Sequence, residues 1–269
     1  MEKLVLIDGH SILNRAFYGV PNLTNSEGLH TNAVYGFLNI LFKVLDEEKA
    51  DYLAVAFDLK APTFRHKMYA DYKGTRKPMP EELREQVPLM KEVLAAMGVP
   101  ILTMAGYEAD DILGTIAKRC QAEGEEVSVV SGDRDLLQLA DTHIKIRIPK
   151  TSRGTTEIHD YYPEDVKREY QVTPTEFIDV KALMGDTSDN IPGVPSIGEK
   201  TATNLIVAYG SIENAYAHLD EVKPPRAKKA LEEHYDLAVM SKELAEICIT
   251  CPIPFEYEEA KLENIYTPE

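Results

Sequence analysis

Cysteine is scarce in this chain of 269 residues, with only Cys120, Cys248 and Cys251. So small and odd a count excludes a disulfide framework and fits a reducing compartment. The Cys-Ile-Thr-Cys run at 248–251 has metal-type spacing, but no second Cys pair or close His pair completes a zinc site, and packing is its expected role. Long apolar runs are missing too. The opening MEKLVLIDGH is too short in apolar residues for a signal peptide, and nothing later approaches the roughly 20 that a membrane helix needs. The expectation is a soluble, cytoplasmic protein with no membrane partner. No Gly/Ser tract, low-complexity stretch or internal repeat divides the chain. Positive charge is short overall, 29 Lys and Arg against 45 Asp and Glu, for a net charge of -16. Spread evenly, that balance would argue against a nucleic-acid partner, but it is uneven. KAPTFRHKMYADYKGTRK, residues 60–77, holds six Lys or Arg against the single Asp71, whereas 232–269 holds ten Asp or Glu against Lys242 and Lys261. On charge alone a solvated helix face is the simpler explanation of the basic run.

What is present is an alternation of elements. KLVLID (3–8), YLAVAFD (52–58), VPILT (99–103) and EVSVVSGD (126–133) are short runs rich in branched apolar residues. Apolar positions at helical spacing separate them over 31–48, 81–97 and 109–122. This pattern predicts an α/β fold with a mostly parallel central sheet flanked by helices. HIKIRIPK and TTEIHD alternate about a Ser-Arg-Gly turn and predict a hairpin at the sheet edge. From about 162 helices take over, which places the boundary between an α/β unit, 1–161, and a mainly helical unit, 162–269.

Acidic residues fall where the strands end. Asp8, Asp58 and Asp133 close three apolar runs and Asp135 lies just beyond, on the edge where open α/β sheets bind ligands. Glu108 and Asp111 share a face at the start of a helix, with Asp110 between them, and Asp186 and Asp189 repeat the three-residue offset. Glu108 or Asp186, taken alone, reads as a helix cap or dipole partner. The set does not, because two carboxylates about 4 Å apart repel by about 4 kcal/mol at an effective dielectric near 20, and too few basic residues are spaced to pair with them. Hard oxygen ligands without a Cys or His cluster select Mg²⁺, with Mn²⁺ as a substitute. So many acids imply two ions, which can clamp the attacking and leaving oxygens of a phosphoryl displacement. A second constellation, IPGVPSIGEKTATNLIVAYGSIENA at 191–215, reads as a tight hairpin opening a helix at Gly198 to Lys200. Free amides there suit a phosphate, although an ordinary helical hairpin explains the pattern equally well.

LIDGHSILNRAFYG, AFD, YKGTRKPMP, GYEADDILGTIA, VVSGDRDLLQL and GDTSDNIPGVPSIGEKTA occur in order along the chain. Together they resemble the 5′ nuclease (5′-3′ exonuclease) domain of bacterial DNA polymerase I, a relative of the flap endonucleases and bacteriophage 5′ nucleases. The resemblance implies a PIN-like core with a helical arch over about 60–97 and a helix-three-turn-helix over about 190–208. It implies metal-binding and catalytic roles for Asp8, Asp58, Glu108, Asp110, Asp111, Asp133, Asp135, Asp186 and Asp189. Asp8, Asp58 and Glu108, with Asp110 and Asp111, are expected nearer one ion; Asp133, Asp135, Asp186 and Asp189 nearer the other. Lys73 and Arg76 at the arch base would neutralise the scissile phosphate, and Tyr72 would stack on an unpaired base. Arg15, Phe17 and Tyr18 match a motif at the DNA junction, though Phe17 reads equally well as core. Gly193, Ser196, Gly198 and Lys200 match the duplex-gripping hairpin, which often holds K⁺. Lys60, Lys67 and Lys77 would be solvated or steer the strand, and Lys223, Arg226, Lys228 and Lys229 are further backbone-contact candidates.

The function so implied is structure-specific cleavage of 5′ flaps and nicked duplexes, with RNA primer segments among the targets, in replication and repair. The partner is branched or nicked DNA, the state a monomer, and the full-length protein is expected to continue into a polymerase. A branched-DNA binder without catalysis would have lost ligands, and none is lost. A PIN-class ribonuclease would need neither the hairpin nor the arch. A small-molecule phosphatase would want a second Asp two residues beyond Asp8, which the sequence lacks.

Overall fold

The computed structural model describes residues 1–152 and 155–265. Six strands form one sheet: β1 (Lys3–Asp8), β2 (Tyr52–Ala56), β3 (Ile101–Leu102), β4 (Glu126–Val130), β5 (Ile144–Ser152) and β6 (Thr155–Tyr161). Its order is β3-β2-β1-β4-β5-β6, parallel throughout except for the antiparallel β5–β6 hairpin. The expected edge hairpin is therefore present; Arg153 and Gly154 of its expected turn lie outside the described residues. The chain runs outward from β1 through β2 to β3, then returns to place β4 on the other side of β1. That reversal makes the carboxyl ends of β1 and β4 the switch point of the sheet.

Helices α1 (Gly9–Gly19), α2 (Asn32–Glu48), α3 (Phe64–Met68), α4 (Glu81–Arg84), α5 (Gln86–Ala96) and α6 (Ala109–Ala122) belong to this half of the chain. Leu4 and Leu6 of β1 enter one core with α6, while Val5 and Ile7 enter the other with α1, α2 and α5. Burial on both faces is why the parallel strands read as unbroken apolar runs rather than as alternating ones. The helical pattern over 81–97 is split at Glu85. Gln86 turns inward there, and its side-chain oxygen accepts from the α2 amides of Ala33 and Val34 at 2.8 and 3.2 Å.

Beyond the sheet come α7 (Pro163–Tyr170), α8 (Pro174–Met184), α9 (Glu199–Tyr209), α10 (Ile212–Ala217), α11 (Pro225–Glu233), α12 (Tyr235–Ala245) and the short α13 (Tyr257–Ala260). α8, α9 and α11 share a separate apolar core around Leu183, Leu205 and Leu231. The chain after α12 leaves this cluster: Ile247, Cys251, Ile253 and Ala260 return to the core beneath α6. Cys120 and Cys251 are buried there, in packing roles, and Cys248 is half-buried. No helix among the described residues is long and apolar enough to cross a membrane.

Candidate active site at the carboxyl edge of the sheet

The switch point opens into a cleft of about 670 Å³. Asp8, Asp58, Glu108, Asp110, Asp133, Asp135, Asp186 and Asp189 all line it, together with Lys73 and Arg76. Eight of the nine expected acids thus converge from five separate stretches of chain.

Each acid is held by local structure. Asp8 ends β1 and caps α1, accepting from the Ser11 amide at 3.4 Å and from the Ser131 hydroxyl at 2.7 Å. Ser131 and Ser11 also receive the amides of Asp133 and Gly132 at 3.0 and 2.8 Å, which locks the end of β4 to the end of β1. Asp133 in turn caps the short 3-10 turn Arg134–Leu139, accepting from the Asp135 amide at 2.8 Å. Asp58, beyond β2, accepts from the first amide of α6 at 2.7 Å. Gly185 carries φ +75, and a Cβ there would lie 2.7 Å from the Ile191 carbonyl; the tight turn so formed brings Asp186 and Asp189 to the cleft.

The cleft has two electrostatic halves. Asp8 is pushed up to about 7, first by burial and then by Asp58, with Asp133 adding to the repulsion. Asp110 is pushed well above the usual carboxylate range by burial and by Asp133, Asp8 and Glu108. Among the described residues no Lys or Arg forms a salt bridge with Asp8, Asp58, Asp110 or Asp133; His10 lies 3.7 Å from Asp58. The remaining acids carry their own cations. Glu108 pairs with Lys73 and, at 2.5 Å, with Arg65. Burial raises its pKa, but these two cations outweigh burial and leave it lowered. Asp189 pairs with Arg76, and Lys181 of α8 pairs with Asp135 and, at 2.7 Å, with Asp186. Asp135 remains raised to about 7, by burial and by Asp133 against Lys181. Oxygens of Asp135, Asp186 and Asp189 lie within 4.8 Å of one another, a spacing that one metal ion can span. Asp133 repels Asp8 and Asp110 as well as Asp135, so it stands between the two halves rather than within the second.

Several expected residues stand elsewhere or act differently. Asp111 is not in the cleft. It is 0% exposed, receives both guanidinium nitrogens of Arg65 at 2.8 and 2.9 Å, and accepts the amides of Glu108 and Cys248. All its lone-pair directions serve the fold, which removes it from the ligand set. Tyr72 is 4% exposed and donates to Glu108 at 3.1 Å, so its ring is not free to stack on a base. The arch narrows as well: Lys73 to Pro80 border the cleft, whereas α5 lays Met90 and Leu94 into the core. Arg15 lines the cleft but spends two donors on the carbonyls of Pro149 and Gly132, both at 2.8 Å. Phe17 packs on the core, and Tyr18 is exposed at the cleft rim. In the hairpin, the Gly193 amide already donates to Ser241 at 3.0 Å, while Ser196, Gly198 and Lys200 are exposed at the start of α9. Lys60, Lys67 and Lys77 are exposed, and Lys228 and Lys229 pair with neighbouring acids. Arg65 and Lys181 carry much of the site's electrostatics, yet only Arg65's place in the basic run hinted at either.

Comparison with known proteins places this arrangement. Residues 3–171 match the family described as 5'-3' exonuclease, N-terminal resolvase-like domain, and 172–268 match 5'-3' exonuclease, C-terminal SAM fold. The chain is 49% identical over 258 residues to DNA polymerase I of Bacillus caldotenax, a match covering 96% of this chain and 29% of that protein. It is 44% identical over 267 residues to DNA polymerase I of Caldicellulosiruptor bescii, covering 99% and 31%. The chain thus spans less than a third of the length of these curated relatives. Among solved structures, zinc-bound T5 5'-exonuclease superposes with a TM-score of 0.76 at 24% identity, covering 93% of this chain and 91% of the other. A bacteriophage T5 flap endonuclease pseudo-enzyme-product complex with DNA and metal ions gives 0.73 at 24% identity, covering 93% and 90%. The catalytic core of Rad2 in complex with DNA substrate gives 0.54 at 15% identity, covering 95% and 83%. At these identities the likeness is one of fold: a PIN-like α/β layer with a SAM-like helical unit.

Proposed function

This chain belongs to the 5'-3' exonuclease family and is a nuclease, and from that premise we propose a structure-specific 5′ nuclease that cuts flapped and nicked DNA through two divalent ions. The observation that carries the reading is the convergence of eight carboxylates and five Lys or Arg side chains, Lys73 and Arg76 among them, on one open cleft at the switch point. Asp8, Asp58, Asp110 and Asp133 repel one another without a Lys or Arg salt-bridge partner among the described residues, a strain visible in the raised Asp8 and Asp110 that a hard cation drawing them together would relieve. Asp135, Asp186 and Asp189 fit a second by spacing. Mg²⁺, or Mn²⁺ in its place, would supply an activated water and offset the charge of the phosphodiester.

The chain's own residues do the rest. Lys73 and Arg76 present their charge at the mouth of the cleft, where they orient and neutralise the scissile phosphate. Tyr72 and Arg65 hold Glu108 in place rather than touching substrate. The open start of α9, at Gly198 and Lys200, offers amides and a cation to the duplex backbone, and a K⁺ ion would be held instead by backbone carbonyls of the adjoining hairpin. Contacts of this kind read phosphate and shape, so base identity matters little and an RNA primer segment is cut as well as DNA. The boundary near 161/162 then separates a cutting unit from a gripping unit. The relatives named DNA polymerase I support a place in primer removal and repair, in the cytoplasm, as the nuclease part of a longer monomeric polymerase.

The test is cleavage of a 5′-labelled flap duplex with and without Mg²⁺, beside a blunt duplex and a single strand. Mg²⁺-dependent cutting at the flap junction is expected. Tight flap binding without cutting in either Mg²⁺ or Mn²⁺ would leave a branched-DNA binder instead.

A further inference from the structure

Among the described residues Lys181 is the one lysine in salt-bridge contact with the acids of the second half of the cleft. Its side chain is 7% exposed, and its stem runs out of a helix face that is otherwise packed. Its ammonium contacts Asp135 and lies 2.7 Å from Asp186 Oδ2. These two carboxylates, with Asp189, are the group whose oxygens lie within 4.8 Å of one another. A divalent ion held there and the Lys181 ammonium therefore call on the same oxygens. Among the described residues the first half of the cleft has no such Lys or Arg: an ion entering between Asp8, Asp58, Asp110 and Asp133 relieves repulsion and displaces no resident ammonium. The position of Lys181 is also enforced. The Gly185 amide returns to the Lys181 carbonyl at 2.9 Å, so the turn carrying Asp186 starts from the lysine itself.

We infer that Lys181 is a resident counter-cation that a divalent ion must displace from Asp135 and Asp186, which makes this the weaker and later-filled of the two metal positions. The inference rests on the two-ion reading given above. Exclusive competition lowers apparent affinity by the fraction of molecules in which the oxygens are free. It also supplies a use for the displaced charge: Lys181 lines the pocket that adjoins the cleft at Arg134, Asp135 and Asp186, where a released ammonium is available to the phosphate of an incoming strand. Metal and substrate would then favour each other at this position and not at the first.

The experiment is a Mn²⁺ titration of the whole chain, reading free Mn²⁺ by electron paramagnetic resonance, for the wild type, Lys181→Met and Lys181→Arg. Two affinity classes are expected in the wild type. Lys181→Met should tighten the weaker class about tenfold and leave the tighter class unchanged, while Lys181→Arg keeps it weak. A weaker class that is unchanged or loosened in Lys181→Met overturns the inference and leaves the two-ion reading standing. A wild type with no Mn²⁺ binding overturns both. Should Lys181→Met fail to fold, the wild type provides a second arm: amine labelling of Lys181, read by peptide mass spectrometry, should speed up on adding Mn²⁺. Unaltered or slower labelling counts against the exchange.

Discussion

The backbone N–H of Lys73 donates to the carbonyl of Asp189 across 2.8 Å, tying the basic segment to the hairpin that carries two of the cleft acids. Asn190 adds a side-chain bond to the Asp71 carbonyl at 2.7 Å. The segment is thus positioned by bonds that do not involve the Lys73 side chain, and its ammonium is left to face Glu108 and the cleft. Lys73→Ala should accordingly leave the arm in place. Single-turnover cleavage of a flap substrate is expected to slow by about 10²- to 10³-fold, with the flap dissociation constant changed less than about threefold. Equal losses in the two measurements would make Lys73 a binding residue instead.

Asp110 and Asp111 are adjacent in sequence and opposite in role. Asp111 completes a buried pair with Arg65, whose other donors go to Glu108 and to the carbonyls of Leu244 and Glu246 at 3.0 and 2.7 Å. Asp111→Asn removes the bidentate carboxylate and leaves the buried guanidinium with Glu108 as its one remaining carboxylate partner among the described residues, which should cost about 3 kcal/mol, on the order of 5 to 10 °C in Tm for a chain of this size. Asp110→Asn removes a carboxylate that burial and its neighbours oppose. It should leave the metal-free Tm unchanged or raised while weakening Mn²⁺ binding. Differential scanning calorimetry in EDTA, beside Mn²⁺ titration, separates the two; a stability loss from Asp110→Asn would contradict the assignment.

This contrast also marks how far the sequence could be read. Strand-end acids are legible because a β run stops at a punctuated place, and the edge on which Asp8, Asp58 and Asp133 fall follows from the parallel order of the strands. Partners are not legible in the same way. Arg65 meets Asp111 across 46 residues, and Lys181 meets Asp135 across the same separation, through contacts that only the packed helices determine. Tyr72 carries the composition of a stacking residue, but its ring is edge-on to His66 and its hydroxyl is committed to Glu108. Asp111 shares a helix face with Glu108, as its spacing requires, yet the capping box turns its carboxylate back on the Glu108 amide and away from the cleft. Helical spacing over 81–97 could not reveal the break at Glu85, which follows from the claim of α2 on Gln86.

The raised carboxylates predict an inverted pH dependence of stability. Asp8 and Asp135 titrate near 7 in the folded chain and near 4 when unfolded, so between those values the folded state binds more protons. Their contribution is therefore favourable at low pH and lost as pH rises toward 7. Glu108 and Asp186 are shifted the other way, and their contribution is lost only as pH falls through the lowered values, so they do not cancel the effect above about pH 5. In EDTA, Tm should fall between pH 5.5 and pH 8. Mg²⁺ should raise Tm more at pH 8, where the acids are already ionised. A Tm in EDTA that climbs steadily with pH would show that these carboxylates do not govern stability.

Charge distribution decides the last prediction. The chain carries a net -16, so a uniform distribution would make DNA binding weak at low salt and insensitive to added salt. Arg15, Lys73, Arg76, Lys77 and Arg134 nevertheless share one cleft, and Lys200 stands at the open start of α9. Each phosphate neutralised releases counterions and adds about -0.9 to the slope of log affinity against log salt on duplex DNA. Three to five such contacts would lower flap affinity by roughly 40- to 500-fold between 50 and 200 mM KCl. Lys200→Ala should reduce that slope by about one and weaken binding alike for substrates of different sequence, since it meets backbone and not base edges. Fluorescence anisotropy of a labelled flap in Ca²⁺, across a KCl series, measures both quantities. A flat salt dependence in the wild type would mean that the acidic total, and not the local basic wall of the cleft, governs the approach of DNA.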